Sequence, residues 1–378
     1  MKNTSKTSPK VLISGGGTGG HIYPAIAIAD EIKRRLPDAQ ILFVGAEGRM
    51  EMEKVPKVGY DIKGLPISGF DRSNMTANLK FPFKLIKSLS LAKKIYKDFQ
   101  PDLAVGTGGY ASGPMLWVAG SKNVPILLQE QNSFPGVTNK ILKNKASAIC
   151  TAYEGISQFP QEKVHYTGNP IRAEIFQNLP SKAEAISAFG LDPEKPTILS
   201  VGGSQGSRAM NNAWLENFDE FVASGVQLIW QTGKLDYQKI KNLVGDKYPT
   251  IHVTEFIYNM KDAYAASDMI VSRAGAMAIS ELCIVGKATI LLPLPTAAED
   301  HQTKNAQALV EKDAAIMVKD VDAKQILVKE VIALANNEEL KNKLSQNIKQ
   351  LGKPNATKEI VDISVSYTHL TLPTNREV

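Results

Sequence analysis

Short apolar runs recur along the first half of the chain, and segments of helical periodicity separate them. Each run is short and uniformly apolar, which is typical of a strand buried on both faces of a parallel sheet. The runs stand at residues 11–14, 41–44, 103–105, 126–128 and 148–151. Strands that alternate with helices predict a sheet built from βαβ units.

The same alternation starts again in the second half, with apolar runs at residues 197–201, 226–231, 251–254, 269–272 and 289–292. Between the two sets, the triplet Gly168-Asn169-Pro170 interrupts regular structure. We therefore expect an α/β protein with two Rossmann-like, doubly wound parallel-sheet domains, residues 1–168 and 169–352, that face a cleft. In such sheets, ligands bind at the carboxyl ends of the strands.

Glycine is concentrated directly after three of the predicted strands, at residues 15–20, 106–113 and 202–206. Because glycine has no side chain, these loops allow the backbone to approach a ligand closely, most often a phosphate. The first loop also satisfies G-x-G-x-x-G, and Glu47 follows the second strand, as in a nicotinamide-dependent oxidoreductase. One dinucleotide would not need three such loops, but a nicotinamide-dependent oxidoreductase stays an alternative.

A further turn, after the run at 269–272, leads into a predicted helix that begins near Ala276. The first amides of a helix have no intrahelical acceptor and lie at the positive end of its dipole, so they predict an anion site without a lysine. Glu281 follows in this helix, where its carboxylate could accept hydrogen bonds from two ribose hydroxyls. The alternative for Glu281 is an ordinary solvated helix carboxylate.

Composition narrows the class of ligand. The 378 residues carry 44 Lys and Arg against 38 Asp and Glu, a formal net charge of +6. This surplus suits acidic ligands or an anionic membrane surface, but it is too weak and dispersed to indicate nucleic acid. Cys150 and Cys283 have no metal-ligand spacing and form no disulfide framework, which favours a reducing compartment. We expect a cytoplasmic protein, because no signal peptide or membrane-spanning run is evident.

Seven motifs, in order across residues 14–281, resemble those of the MurG family, the UDP-N-acetylglucosamine:lipid I N-acetylglucosaminyltransferases of peptidoglycan synthesis. They are GGGTGGHIYPA, GTGGYASGP, EQNSFPG, TGNPIR, VGGSQGS, EFI and SRAGAMAISE. The resemblance extends to about Asp362 and implies a GT-B fold, in which a last helix at about 353–365 returns to the first domain. It also implies an inverting transfer of GlcNAc from UDP-GlcNAc to the 4-hydroxyl of MurNAc in lipid I, which gives lipid II.

The resemblance implies which residues bind the two substrates. For UDP-GlcNAc, the main chain at Ile257 would contact the uracil, Glu281 the ribose and Gln302 the sugar hydroxyls. The other positions that match the donor site are Thr18, Gly19, Gly20, Asn132, Arg172, Ser204, Ala276, Met277 and Ala278. The acceptor diphosphate would be held by Gly16, Gly17, Gly108, Gly109 and Tyr110.

An inverting transferase needs a base that takes the hydroxyl proton and positive or dipolar groups that stabilise the leaving diphosphate. His21 and Glu130 are the two candidates for this catalytic base, and a packing or capping role is the alternative for His21. No DxD-like metal motif lies near the donor loops. We therefore expect no tightly bound cofactor. A divalent cation that assists the reaction would have no set of protein ligands.

Large apolar residues alternate with lysines over residues 78–97, the composition of an interfacial, basic amphipathic segment. The side chains expected to enter a bilayer are Leu79, Phe81, Phe83, Leu85 and Trp117. An ordinary helix that packs on the sheet is the better interpretation for the second half of the segment, whereas Pro82 makes it a poor one for the first half. The expected location is peripheral, on the anionic inner face of the cell membrane, with cell-wall synthesis proteins as candidate partners.

The last residues, 366–378, have no helical period and are rich in threonine, which is typical of a non-native or disordered tail. Besides the oxidoreductase, a UDP-sugar epimerase of the same fold stays open as an alternative. Such an epimerase would share the donor site but would need no membrane patch.

Overall fold

The structure is a computed structural model and describes residues 8–69, 81–171, 176–203, 205–244 and 247–366. The chain divides into two compact units. One unit comprises the described residues up to Ile171 together with those from Pro354 onward, and the other spans residues 172–353. The expected divisions after residues 168 and 352 lie just before these bounds, and most of the tail expected at 366–378 lies outside the described residues.

The first unit contains a seven-stranded parallel sheet with the strand order β3-β2-β1-β4-β5-β6-β7. Its strands are β1 (Lys10–Gly15), β2 (Gln40–Ala46), β3 (Asp61–Leu65), β4 (Leu103–Gly108), β5 (Ile126–Glu130), β6 (Ala148–Thr151) and β7 (Val164–Tyr166). Its helices before Ile171 are α1 (Gly19–Arg35), α2 (Glu51–Lys57), α3 (Phe81–Phe99), α4 (Ser112–Gly120) and α5 (Val137–Leu142). The winding direction of this sheet reverses between β1 and β4.

The second unit contains a six-stranded parallel sheet with the order β10-β9-β8-β11-β12-β13. Its strands are β8 (Thr197–Val201), β9 (Gln227–Gln231), β10 (Ile251–Thr254), β11 (Met269–Ser272), β12 (Ala288–Leu291) and β13 (Ile316–Met317). Its helices are α6 (Lys182–Ser187), α7 (Arg208–Glu216), α8 (Phe218–Ala223), α9 (Lys234–Val244), α10 (Met260–Ala266), α11 (Ala276–Val285), α12 (His301–Val310), α13 (Ala323–Ala335) and α14 (Glu338–Gln350). Here the winding reverses between β8 and β11.

The fold class predicted from the apolar runs is confirmed, because both sheets are parallel and each predicted run falls on a strand. The strands that the apolar runs did not predict are β3, β7 and β13. All three lie at an edge of their sheet, and their residues are mostly exposed or partly buried. An edge strand pairs on one side only, so it does not need a continuous apolar sequence.

The last helix, α15 (Ala356–Ser366), packs against α1 in the first unit. Ile360 and Val361 are fully buried in the core that α1 forms with one face of the sheet. Arg35 pairs with Asp362 across the two helices. The end of the described chain therefore completes the hydrophobic core of the first unit.

Helix α3 corrects the expectation that Pro82 interrupts helical structure. The described part of the helix runs from Phe81 to Phe99, and Pro82 lies within it, so this proline does not interrupt the helix over the described residues. Leu85 and Leu89 pack against the core on the second face of the sheet, and Ala92 is buried in it. The helix is thus anchored to the sheet through both halves, and Leu85 faces inward.

Two tryptophans, Trp214 on α7 and Trp230 on β9, pack in the core of the second unit. Trp214 is 1% exposed and Trp230 is 0% exposed. Their indole N–H groups donate to Ser200 Oγ and Asn211 Oδ1, each at 2.9 Å, so neither buried donor is left unsatisfied. This packing fixes β8 and β9, and the loops that follow their carboxyl ends belong to the candidate site described below.

Candidate functional site

In the first unit, the glycine loops after β1 and β4 meet at the point where the winding reverses. The Gly16 amide donates to the Gly108 carbonyl at 3.3 Å. A Cβ atom at Gly109 would lie 2.3 Å from the Gly16 carbonyl oxygen, and Gly109 has a φ of +89°. Only glycine fits such a backbone-to-backbone contact. The structure thus brings together the glycines expected at the acceptor diphosphate, while Tyr110 lies beside them with its side chain half exposed.

A buried carboxylate that the sequence analysis missed holds this loop in place. Glu51 is 0% exposed, and its two oxygens accept from the Gly17 and Ala46 amides, each at 2.9 Å. A Cβ at Gly16 would lie 2.2 Å from the same carboxylate. The only sequence signal for Glu51 is an acid in the first turn of α2, where the helix dipole favours it.

These contacts change which amides of the first loop can bind an anion. The Gly16 and Gly17 N–H groups already donate within the protein. Helix α1 starts at Gly19 with no acidic residue in its first turn and no side-chain cap. The amides of Gly19 and Gly20 at this helix start are therefore better placed for a phosphate than those of Gly16 and Gly17.

The His21 imidazole is oriented by the main chain of the same loop. Its Nδ1 lies 3.0 Å from the Gly16 carbonyl oxygen, which can only accept a hydrogen bond. Nδ1 therefore carries the proton in the neutral ring, and Nε2 is the basic nitrogen. Nε2 lies 3.0 Å from the position of a Cβ at Gly108, so the ring covers the second glycine loop.

Glu130, the other candidate base, is surrounded by donors. Its Oε1 accepts from the Asn132 amide at 3.1 Å and from Asn132 Nδ2 at 3.3 Å. Its Oε2 accepts from the Gly136 amide at 3.1 Å and from Asn139 Nδ2 at 2.9 Å. Four donors match the four lone-pair sites of a carboxylate, and the side chain is 2% exposed. This geometry is that of a loop anchor, which positions Asn132.

In the second unit, helix α11 begins at the other reversal point. Its N-cap, Gly275, supplies no side-chain hydrogen bond, and no acidic residue lies in its first turn. The start of the helix, which carries Ala276, Met277 and Ala278, therefore lies at the carboxyl end of β11 with the positive end of the helix dipole there.

Glu281 is not an isolated helix carboxylate. The Tyr264 hydroxyl donates to its Oε2 at 3.0 Å. Burial raises the pKa of Tyr264 well above its usual value, with the nearby Glu281 charge as a second cause. The phenol therefore stays protonated and remains a donor, so the Glu281 carboxylate is held in one orientation in the middle of the same helix.

Two other residues expected at the UDP-GlcNAc site already make hydrogen bonds within the second unit. The Ile257 amide donates to Gln231 Oε1 at 3.1 Å, and Gln302 Oε1 accepts from the Leu294 amide at 2.9 Å. Arg172, Ser204 and Leu79 lie outside the described residues.

The exposed apolar surface of the first unit differs from the expected patch. Phe83 is 75% exposed and Trp117 is 45% exposed, whereas Leu85 packs against the core. Phe81 is only partly buried. Ile86, which was not expected there, is 66% exposed on the same helix as Phe83. Helix α3 packs against α4, which carries Trp117, and α4 packs against α5.

Within the described ranges, no three His, Cys, Asp or Glu side chains converge as a metal site would require. Burial raises the pKa of both Cys150 and Cys283 to about 12, so both thiols stay protonated at neutral pH. None of the described helices is both long enough and apolar enough to cross a membrane.

Each unit is a doubly wound parallel-sheet domain with glycine loops at its reversal point, which is the architecture of GT-B glycosyltransferases, and the comparisons with known proteins show that class. Residues 11–151 match the glycosyltransferase family 28 N-terminal domain, and residues 197–360 match the C-terminal domain of that family. The chain belongs to glycosyltransferase family 28 and, within it, to the MurG family.

Individual relatives span nearly the whole chain. A protein of Parabacteroides distasonis, named UDP-N-acetylglucosamine--N-acetylmuramyl-(pentapeptide) pyrophosphoryl-undecaprenol N-acetylglucosamine transferase, is 53% identical over 93% of this chain and 96% of its own. A protein of the same name from Christiangramia forsetii is 51% identical over 94% of this chain and 97% of its own. The crystal structure of MurG from Acinetobacter baumannii is 27% identical and covers 95% of this chain and 99% of its own, with a TM-score of 0.77. A UDP-GlcNAc 2-epimerase from Neisseria meningitidis covers 94% of this chain and 100% of its own with a TM-score of 0.65, but at 16% identity it shows the fold alone.

Proposed function

We propose that this protein transfers GlcNAc from UDP-GlcNAc to the 4-hydroxyl of MurNAc in lipid I, with inversion at the anomeric carbon, and thereby forms lipid II. The observation that carries the proposal is the 53% identity, over 93% of the chain, to a transferase of that name. The epimerase alternative rests on a likeness of fold at 16% identity. The oxidoreductase alternative rests on one glycine fingerprint and Glu47.

The donor binds to the second unit in this proposal. The N–H groups at the start of α11 receive the diphosphate, because they combine main-chain donors with the positive end of a helix dipole. Glu281 accepts from the ribose hydroxyls while Tyr264 holds its carboxylate. The main chain at Ile257 binds the uracil, and Gln302 binds the sugar hydroxyls.

His21 is the base in this proposal. The 4-hydroxyl oxygen forms a bond to the anomeric carbon while its proton passes to Nε2 of His21. The bond between that carbon and the diphosphate breaks, and UDP leaves with the electron pair. The contact from Nδ1 to the Gly16 carbonyl orients the ring and stabilises the imidazolium that forms. Glu130 positions Asn132 and takes no proton.

We further infer that the leaving diphosphate needs no protein-bound metal, because the helix start already supplies oriented donors. A free divalent cation that arrives with the nucleotide is compatible with this mechanism.

The proposed function predicts a specific ligand and a specific product. UDP-GlcNAc at about 100 times its Kd should stabilise the protein by about 2.7 kcal/mol, measured as a rise in Tm, whereas NAD should give no rise. With a lipid I analogue present, labelled GlcNAc should appear on the acceptor. Formation of an epimer of UDP-GlcNAc without any acceptor would instead support the epimerase, and stabilisation by NAD alone would support the oxidoreductase.

The membrane location is also a proposal, supported by the exposed surface on α3 and α4. Phe83, Ile86 and Trp117 expose apolar side chains, and Lys145 lies over the Trp117 ring, 4.5 Å from its centroid. Apolar burial together with about 1 kcal/mol per lysine near an anionic surface would hold the protein peripherally on the inner face of the membrane.

Replacing Phe83 and Ile86 with serine should sharply reduce sedimentation with anionic vesicles, because the apolar contribution is lost. Turnover of a short-chain, water-soluble acceptor should stay near wild type. The matched control replaces Leu235 and Leu243, which are 69% and 53% exposed on α9 of the second unit, and should sediment as wild type does. Wild-type protein that ignores anionic vesicles at low salt would contradict the proposed location.

A further inference from the structure

Gln231 joins two separate segments of the second unit. It is the last residue of β9 and is 3% exposed. Its Nε2 donates to the Gly203 carbonyl at 2.8 Å, in the glycine loop after β8. Its Oε1 accepts from the Ile257 amide at 3.1 Å, in the segment after β10. One side chain therefore connects the third glycine loop to the segment proposed to bind the uracil.

A carboxamide satisfies both contacts, whereas a charged carboxylate or an apolar side chain does not. The Gly203 carbonyl can only accept and the Ile257 amide can only donate, so the side chain between them must donate at one end and accept at the other. A glutamate at this position would place a carboxylate oxygen against the Gly203 carbonyl. A methionine would leave both main-chain groups without this partner at a buried position, which is unfavourable.

The glycine loop depends on this region for its shape. The Gly203 carbonyl also accepts from the Gly206 amide at 3.0 Å, so two donors fix its direction. A Cβ at Gly206 would lie 2.2 Å from the Thr232 carbonyl oxygen. The loop thus rests directly on the turn that follows Gln231, and a shift of either segment would be transmitted to the other.

We propose that Gln231 is a positioning residue for the nucleotide donor. It sets the spacing between the segment that binds the uracil and the glycine loop after β8, beside the diphosphate. This inference rests on the proposed function, in which the main chain at Ile257 binds the uracil, and on the expectation that the loop after β8 lies at the donor diphosphate. Because Gln231 would contact neither the sugar nor the acceptor, its loss should weaken donor binding and spare the acceptor and the chemical step.

The test uses Gln231→Glu and Gln231→Met in the full-length protein, with UDP-GlcNAc and a water-soluble acceptor. At pH 8, both variants should raise the donor KM about tenfold or more, while the acceptor KM and kcat change little. Burial raises the pKa of a carboxyl group, and a protonated glutamate again donates and accepts. The donor KM of Gln231→Glu should therefore fall toward the wild-type value as the pH is lowered from 8 to 6, whereas that of Gln231→Met should not.

Gln227 offers a matched control at the opposite end of the same strand. It is 1% exposed, accepts from the Asp192 amide at 2.8 Å and donates to the Asp192 carbonyl at 2.7 Å. Gln227→Glu also places a carboxyl group at a buried position, so it should lower the Tm. It should leave the donor KM unchanged. A rise of the donor KM in this control would make the Gln231 effect a general loss of stability and overturn the proposal.

Two other results would also overturn it. An unchanged donor KM in Gln231→Met would remove Gln231 from donor positioning. A lower donor KM would mean that Gln231 competes with the uracil for the Ile257 amide. If Gln231→Glu does not fold, Gln231→Met decides alone, since a methionine of similar size is tolerated in buried positions. Failure of the proposed function is distinguishable, because wild-type protein would then form no product from UDP-GlcNAc.

Discussion

Replacing His21 with alanine is expected to lower kcat by about two to four orders of magnitude, because the proton acceptor of the transfer step is lost. His21→Asn should lose about as much. Its amide can still reach the Gly16 carbonyl as Nδ1 does in the wild type, but it has no basic nitrogen at the Nε2 position. UDP affinity should stay near wild type in both variants. Steady-state kinetics and equilibrium binding of UDP check these outcomes separately.

His252 provides the control for this experiment. Its Nδ1 lies 3.1 Å from the Phe189 carbonyl, the same kind of main-chain contact as at His21, but it lies on β10 of the second unit. His252→Ala should keep kcat near wild type. If His21→Asn kept wild-type kcat while Glu130→Gln abolished it, the base would be Glu130, and the ring of His21 would serve only to hold the loop.

Replacing Glu281 with alanine is expected to raise the donor KM about tenfold or more, because charge-assisted hydrogen bonds to the ribose are worth about 1.5–3 kcal/mol. Tyr264→Phe should raise it less, by about three- to tenfold, since the carboxylate remains but loses one hydrogen bond that orients it. 2′-Deoxy-UDP-GlcNAc should distinguish the variants from wild type, because its affinity should fall for wild type and change little for Glu281→Ala.

A second tyrosine–carboxylate pair, in the first unit, serves as the control. The Tyr60 hydroxyl donates to Asp30 Oδ1 at 2.7 Å, and burial raises the pKa of Tyr60 as it does that of Tyr264. Asp30→Ala and Tyr60→Phe should leave the donor KM unchanged. An unchanged KM in Glu281→Ala would remove Glu281 from the donor site and return it to the alternative of an ordinary helix carboxylate.

The sequence predicted the arrangement of the sheets well because that information is local. Interior strands such as β4 and β11 are buried on both faces, so their apolar runs stand out from the surrounding helices. The edge strand β3 has alternating exposure and carries charged residues, and it was missed for that reason. Pro82 was misjudged because a proline that breaks a helix and one that a helix accommodates look alike in the sequence.

The chemistry of the site was only partly predictable. The glycine loops and the start of α11 could be located, because glycine content and strand position mark them. The two candidates for the base could not be separated, because the difference lies in their hydrogen-bond partners. His21 keeps a basic nitrogen opposite its contact with Gly16, whereas Glu130 accepts from four donors.

The sequence by itself thus determined the α/β class, the two sheets, the positions of the glycine loops and the family, since all of these follow from short patterns along the chain. Only the tertiary structure decided which buried polar groups support the loops. Glu51 reaches Gly17 across 34 residues of sequence, and Gln231 reaches Gly203 and Ile257 across 28 and 26. Such partners are selected by the folding of the sheet, which brings the carboxyl ends of neighbouring parallel strands together and favours the pairing of the donors and acceptors that are buried there.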